Sequence, residues 1–314
     1  MKLLARVGAL SLLLATGCTR NLGALIRTGT DTTDARIVGL FPCEAGGRDV
    51  MDLDPSRPVT VLVHGCNSSG ERFKTLAQVF EANDQQTICF NYNDRDYLNT
   101  SATQLAQALS ALELRVAPHE LTILGHSQGG LIARRALQAD LPRPLVTREG
   151  FSYRLVTVSS PFSGIDSSAD CGRPWLHALT LTATIVVCLV VTGNKWTEIP
   201  PGSGFMTNPA PMLSTRHLQI ITDERATCRV RDATGACKKS DSVFDLHEQY
   251  SPLLTSDPRV TTVELKEGHA AVVGENGVPP LLLIETLRAQ HVLAAVLPSR
   301  GDAFAALLTR LYSE

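Results

Sequence analysis

The chain has 314 residues, enough for one large domain with an insertion. Its 29 Lys and Arg against 31 Asp and Glu give a net charge of −2, and no basic run marks a nucleic-acid surface. Hydrophobic residues at 44% with charged residues at only 19% fit a well-buried sheet protein, and neither an internal repeat nor a low-complexity tract is present.

The first element is an export signal. Lys2 and Arg6 form a basic start, and Val7 to Ala15 form an apolar core too short to span a bilayer comfortably. Ala15-Thr16-Gly17-Cys18 resembles a bacterial lipobox, with Ala15 where leucine is usual. Residues 1–17 are read as the signal and Cys18 as the lipidated N-terminus of the mature chain; an ordinary secretory signal cleaved nearby is the other reading. A lipid anchor at Cys18 followed by Thr19 implies the bacterial cell envelope, at the outer membrane, and the ordinary signal implies the periplasm or medium. Residues 18–35 are expected to act as a tether, and residues 36–314 as the folded domain.

From there the pattern alternates. Arg36 to Phe41 and Val50 to Leu53 read as opening antiparallel strands. Val59 to Val63 is a buried strand, and Glu71 to Ala82 a helix with Phe73, Leu76, Ala77 and Phe80 at helical spacing. Thr87 to Tyr92 is a strand, Thr103 to Val116 a helix, Leu121 to Leu124 a strand and Leu131 to Ala139 a helix. Tyr153 to Val158, Arg216 to Thr222 and Val260 to Leu265 are further strands. Leu281 to Leu297 and Asp302 to Tyr312 are closing helices. Strands alternating with helices predict an α/β fold, a mostly parallel sheet covered by helices on both faces. The stretch of about 162–215 breaks the alternation. It holds the apolar run Leu179 to Val191, again too short to span a membrane. That run is either a buried core helix or an apolar cover over a binding pocket.

Eight cysteines behind an export signal point to disulfides, because the compartments beyond the inner membrane are oxidising. Cys228 and Cys237 bracket a short polar excursion and are the favoured pair. Cys171 and Cys188 are a second candidate, and the partners of Cys43, Cys66 and Cys89 stay open. With Cys18 lipidated, seven remain and at least one must be free. No Cys/His spacing resembles a zinc site, so no metal is expected.

Three short motifs carry the chemistry. Val59–Val63 ends in His64-Gly65-Cys66-Asn67. Leu121–Leu124 runs into Gly125-His126-Ser127-Gln128-Gly129, a Gly-x-Ser-x-Gly turn between strand and helix. Val260–Leu265 is followed by Gly268-His269. On these motifs and their order the chain resembles the α/β-hydrolases, in their bacterial lipase and esterase branch, from about Val59 to the C-terminus. The resemblance implies the α/β-hydrolase fold with an inserted helical cap at about 162–215.

It also implies Ser127 as nucleophile and His269 as its base; His247 is the rival histidine. Asp241, in an aspartate–small–valine pattern, is the expected acid, with Asp223 and Asp245 as alternatives. The backbone N–H groups of Cys66 and Gln128 are the expected oxyanion hole. Together these imply an exported serine hydrolase of carboxylic esters, with an acyl ester or lipid as substrate and no cofactor. The alternatives are an amidase or thioesterase using the same triad, or a surface lipoprotein that keeps the fold without catalysis.

Overall fold

The computed structural model describes residues 25–28, 31–43, 50–116, 120–172, 188–189, 192–208, 210–275, 277–294 and 301–313. Cys18, the signal, and most of the apolar run 179–191 lie outside the described residues.

The chain opens with strands β1 (Leu25–Thr28), β2 (Asp31–Arg36), β3 (Leu40–Phe41) and β4 (Val50–Leu53). Strand β1 pairs antiparallel with β2 and parallel with β4 in a small sheet, so part of the stretch read as a tether is paired strand. Val50–Leu53 therefore does not open the main sheet as expected. Only β3 does, antiparallel to its neighbour.

The main sheet is formed by β3, β5 (Val59–Val63), β6 (Gln86–Phe90), β7 (Glu120–His126), β8 (Ser152–Val158), β9 (Ser214–Thr222) and β12 (Val260–Leu265). Among the described residues their order is β12-β9-β8-β7-β5-β6-β3, parallel throughout except for β3. Strands β10 (Cys228–Arg231) and β11 (Cys237–Ser240) form a separate hairpin.

The central strands are apolar on both faces because both are covered. Every residue of β5 is buried. Val59, Val61 and Val63 pack with Leu98, Leu105 and Leu109 of α2 (Leu98–Glu113) and Ile132 of α3 (Gln128–Ala136). Leu62 points the other way, into a second cluster with Leu76 and Phe80 of α1 (Lys74–Glu81) and with Leu283 and Leu287. The period-2 alternation of β5 thus divides one strand between two cores.

Short helices α4 (Leu246–Gln249) and α5 (Pro252–Thr255), then α6 (Leu281–Ala289) and α7 (Gly301–Leu311), complete the order. No described helix is long and apolar enough to cross a membrane.

Helix α2 starts at Leu98, before the Thr103 expected from sequence. Its first N–H groups are satisfied from a distance: the Glu198 carboxylate accepts from the Leu98 N–H and from the Asn99 side chain at 2.6 Å. A cap supplied across the fold leaves no local signature.

Among the described residues, three disulfides join Cys43 to Cys89, Cys171 to Cys188 and Cys228 to Cys237. The last two are the pairs expected from sequence, and Cys66 is free.

A candidate active site at the carboxyl ends of the strands

Strand register brings the motifs together. Val63 pairs beside Gly125, His126 beside Val158, Val158 beside Ile220 and Thr222 beside Leu265. Residues that follow these positions emerge on one edge of the sheet: His64, Ser127, Ser159, Glu224 and the loop carrying His269. Open parallel sheets bind ligands at this edge.

Ser127 occupies the turn between β7 and α3 with φ 57° and ψ −128°. For a side chain other than glycine this is strained, at about 1–3 kcal/mol. The conformation is held by the Ser127 N–H donating to the Val158 carbonyl at 2.9 Å and the Gly130 N–H donating to the Ser127 carbonyl at 3.0 Å. The turn also needs the chain to pass closely at Gly129, where a Cβ would lie 2.2 Å from the Val63 carbonyl oxygen. The His64-Gly65 loop lies against the serine: a Cβ on Gly65 would come 2.9 Å from that of Ser127.

His269 presents Nδ1 to a buried carboxylate, and that carboxylate belongs to Glu224. Nδ1 lies 3.0 Å from Glu224 Oε1 and 2.8 Å from Ser159 Oγ. Glu224 is 1% exposed, yet all its lone pairs are engaged. Oε1 accepts from Ser159 Oγ at 2.6 Å and Thr222 Oγ1 at 2.9 Å, and Oε2 from the N–H groups of Val243 and, at 2.8 Å, Phe244. Burial alone would raise this carboxyl. The contacts from His269, Ser159 and the Phe244 N–H outweigh it and hold the group below the usual carboxylate range.

The Phe244 ring meets the imidazole edge-on at 4.9 Å. On the other side lies His126, which contacts the His269 carbonyl through Nε2 at 2.9 Å. Burial, followed by the neighbouring His269, pushes His126 down to about 3, so it stays neutral and acts as a donor to that carbonyl.

Asp241 is not the carboxylate at the imidazole, which corrects the sequence expectation. It is 2% exposed, but its side chain accepts from the backbone N–H groups of Ala270 at 3.2 Å and Ala271 at 3.0 Å and pairs with Arg229 at 3.3 Å. Its carbonyl accepts from the His269 N–H at 2.9 Å. Asp241 therefore anchors the histidine loop by its backbone.

The other acidic alternatives are also engaged elsewhere. Asp223 binds Arg225, and Asp245 caps α4 in a reciprocal capping box with Glu248. The rival histidine His247 is exposed and pairs with Asp166, whose contact raises its pKa.

Glu224 is not among the acids expected from the sequence, which are all aspartates. Strand parity carried the missing signal. The Asp223 N–H continues the ladder to Leu265 at 2.7 Å, whereas Thr222 and Glu224 share a parity, with Thr222 Oγ1 directed at Glu224.

The expected oxyanion donors flank the serine. Gln128 is the first residue of α3, where backbone N–H groups point outward with the positive end of the helix dipole. Cys66 follows Gly65 in the loop beside Ser127. The two are linked through Lys195, whose ammonium donates to Cys66 Sγ at 3.1 Å and to Gln128 Oε1. Among the described residues, no group of three or more His, Cys, Asp and Glu is placed to hold a metal ion.

The palmitoyl protein thioesterase family matches residues 58–200, somewhat less than half of the chain. That span contains the His-Gly loop and the serine turn but neither His269 nor Glu224. No curated protein matches the sequence.

Among solved structures, the mature form of the Bacillus licheniformis lipase BlEst2 is similar at 16% identity and TM-score 0.49, over 74% of this chain and 93% of that one. The Pyrococcus furiosus esterase Pf2001 is similar at 14% identity and TM-score 0.46, over 76% and 81%. The thioesterase domain of the curacin biosynthetic pathway is similar at 14% identity and TM-score 0.40, over 74% and 92%. The parallel strand order and the serine turn at its carboxyl edge are those of an α/β-hydrolase fold, and the family match falls across that part of the chain.

Proposed function

We propose that the chain is an exported serine hydrolase that cleaves carboxylic esters through an acyl-enzyme. The observation that carries this reading is the convergence, on one sheet edge, of a serine held at φ 57° and a histidine fixed on a buried, fully hydrogen-bonded glutamate.

A serine hydroxyl needs a base to become nucleophilic. With Nδ1 of His269 committed to Glu224, Nε2 is the nitrogen that takes the Ser127 proton as Oγ attacks the acyl carbon. Glu224 stabilises the imidazolium that forms and stays ionised, as its lowered pKa allows. The N–H groups of Gln128 and Cys66 receive the developing oxyanion. His269 then protonates the leaving group, and a water activated by the same nitrogen releases the acid.

The family match gives a second reading its specific support: a thioester substrate on the same machinery. Acyl transfer from sulfur or oxygen uses the same residues, so the leaving group has to be determined by assay. Lipidation at Cys18 and attachment to the outer membrane belong to the same proposal, supported by Lys2, Arg6 and the Ala15-to-Cys18 motif. So does a cap over the acyl pocket at about 162–215.

The test is a hydrolysis profile across p-nitrophenyl esters of increasing length, beside acyl thioesters of the same lengths, with fluorophosphonate labelling of wild type and Ser127→Ala. Labelling confined to the wild type supports the mechanism. A wild type that neither labels nor turns over any substrate refutes it and favours a non-catalytic surface protein.

A further inference from the structure

Lys195 is 3% exposed, an unusual place for an ammonium group. Its Nζ donates to three acceptors: Cys66 Sγ at 3.1 Å, the Asp94 carbonyl and Gln128 Oε1. Gln128 Nε2 donates to the same Asp94 carbonyl at 3.1 Å. All three ammonium protons are thus engaged, and among the described residues Lys195 makes no ion pair. A buried cation without a paired carboxylate costs free energy that well-packed apolar atoms at the same position would not.

The backbone is built to deliver it. Gly193 stands at φ 79°, and a Cβ there would lie 2.3 Å from the Arg95 carbonyl oxygen. The Asn194 N–H donates to that carbonyl at 2.7 Å, and the Trp196 N–H to the Gly193 carbonyl at 3.2 Å.

We propose that Lys195 is a positioning residue for the oxyanion site. Its side chain ties the loop after β5, at Cys66, to the first turn of α3, at Gln128. These are the two segments whose N–H groups receive the oxyanion in the proposed mechanism, on which this inference rests. The ammonium also adds positive charge to the same side as the amino end of α3. Both effects favour the anionic tetrahedral intermediate over the neutral ground state, so they act on kcat.

The experiment compares wild type, Lys195→Met, Lys195→Arg and Gln128→Glu on a p-nitrophenyl ester and its thioester counterpart. Inhibition by an alkyl boronic acid, which forms an anionic tetrahedral adduct on the serine, and a thermal melt are run alongside. Lys195→Met is expected to lower kcat by about tenfold to a hundredfold, less than loss of a direct donor. KM should move less than threefold, boronate affinity should fall by the same factor as kcat/KM, and Lys195→Arg should recover part of the loss. Gln128→Glu places a carboxylate on the ammonium without opening a cavity, and should also lower kcat, so the test survives if Lys195→Met does not fold.

Wild-type kcat in Lys195→Met, or in Gln128→Glu where Lys195→Met is unfolded, overturns the proposal. So does a kcat loss with undiminished boronate affinity. A wild type inactive on every substrate overturns the serine-hydrolase reading instead.

Discussion

Replacing Glu224 with glutamine discriminates most sharply between the site seen here and the one expected from the sequence. The Glu224 carboxylate receives five donors, from Ser159, Thr222, His269 and the N–H groups of Val243 and Phe244. A glutamine amide must set its NH2 against two or three of these donors whichever way it is turned. Each conflict leaves a buried donor unsatisfied, at about 1–3 kcal/mol, so the variant should lose about 2–4 kcal/mol of stability.

The catalytic cost is larger. Without a carboxylate at Nδ1 the imidazole loses both its tautomer preference and the partner of its charged form, and kcat should fall by about a thousandfold to ten-thousandfold, or about 4–5.5 kcal/mol in the barrier. Asp241→Asn keeps one oxygen for the Ala270 and Ala271 N–H groups and loses only the Arg229 pair. It should cost less than about tenfold in rate, with about 1–2 kcal/mol of stability. Initial rates on a short p-nitrophenyl ester and urea titrations of both variants measure this. A crippled Asp241→Asn beside a Glu224→Gln within tenfold of wild type would refute the assignment.

Ser127→Ala should abolish hydrolysis and fluorophosphonate labelling with little change in stability, because alanine keeps the Cβ and with it the strain of the turn; His269→Ala should lose comparable activity, and a rate within tenfold of wild type in either variant sinks the mechanism. Because the folded state holds the Glu224 carboxyl below its ordinary value of 4.5, its contribution to stability is complete above that pH and is lost as pH falls through the lowered value; acid titrations should show that loss in wild type and a flatter acid limb in Glu224→Gln. Metabolic labelling with a palmitate analogue should mark the wild type and not Cys18→Ser, and unlabelled, soluble wild type would favour an ordinary secretory signal. If the apolar run 179–191 lines an acyl pocket, lengthening an ester from four to eight carbons should gain up to about 3 kcal/mol in kcat/KM at ~0.8 kcal/mol per methylene, and a flat profile would count against that role.

The fold was legible because its signals are local or periodic. Leu121 to Leu124, the Gly-x-Ser-x-Gly turn and the apolar spacing after it place strand, turn and helix within a few residues of their observed bounds. Val260–Leu265 is found at the expected bounds. What could not be read locally was supplied across the fold. Helix α2 begins early because Glu198, a hundred residues on, caps it. Val50–Leu53 left the main sheet because β1 offered it a partner. The carboxylate at His269 Nδ1 is hard to read from sequence for a different reason. Asp241 and Glu224 are both buried carboxylates close to His269 in space, one on its backbone loop and one on its ring. The spacing of residues along the chain does not distinguish these, whereas strand parity at Thr222 and Glu224 does.

Asp241 gives the hairpin β10–β11 a calculable part in this arrangement. The hairpin carries Arg229, the partner of Asp241, and is closed by Cys228–Cys237 across a separation of 9 residues. Opening that loop frees about 2–3 kcal/mol of chain entropy in the unfolded state. The hairpin is largely exposed, so little apolar burial is at stake with it. The double substitution Cys228→Ser, Cys237→Ser should therefore lower Tm by several degrees and make the hairpin sensitive to protease. The rate should fall less than tenfold, because Glu224, Ser159 and Phe244 hold the imidazole independently of Arg229. A rate loss as deep as that of Ser127→Ala at an unchanged Tm would instead mean that the hairpin, through Arg229 and Asp241, sets the position of His269.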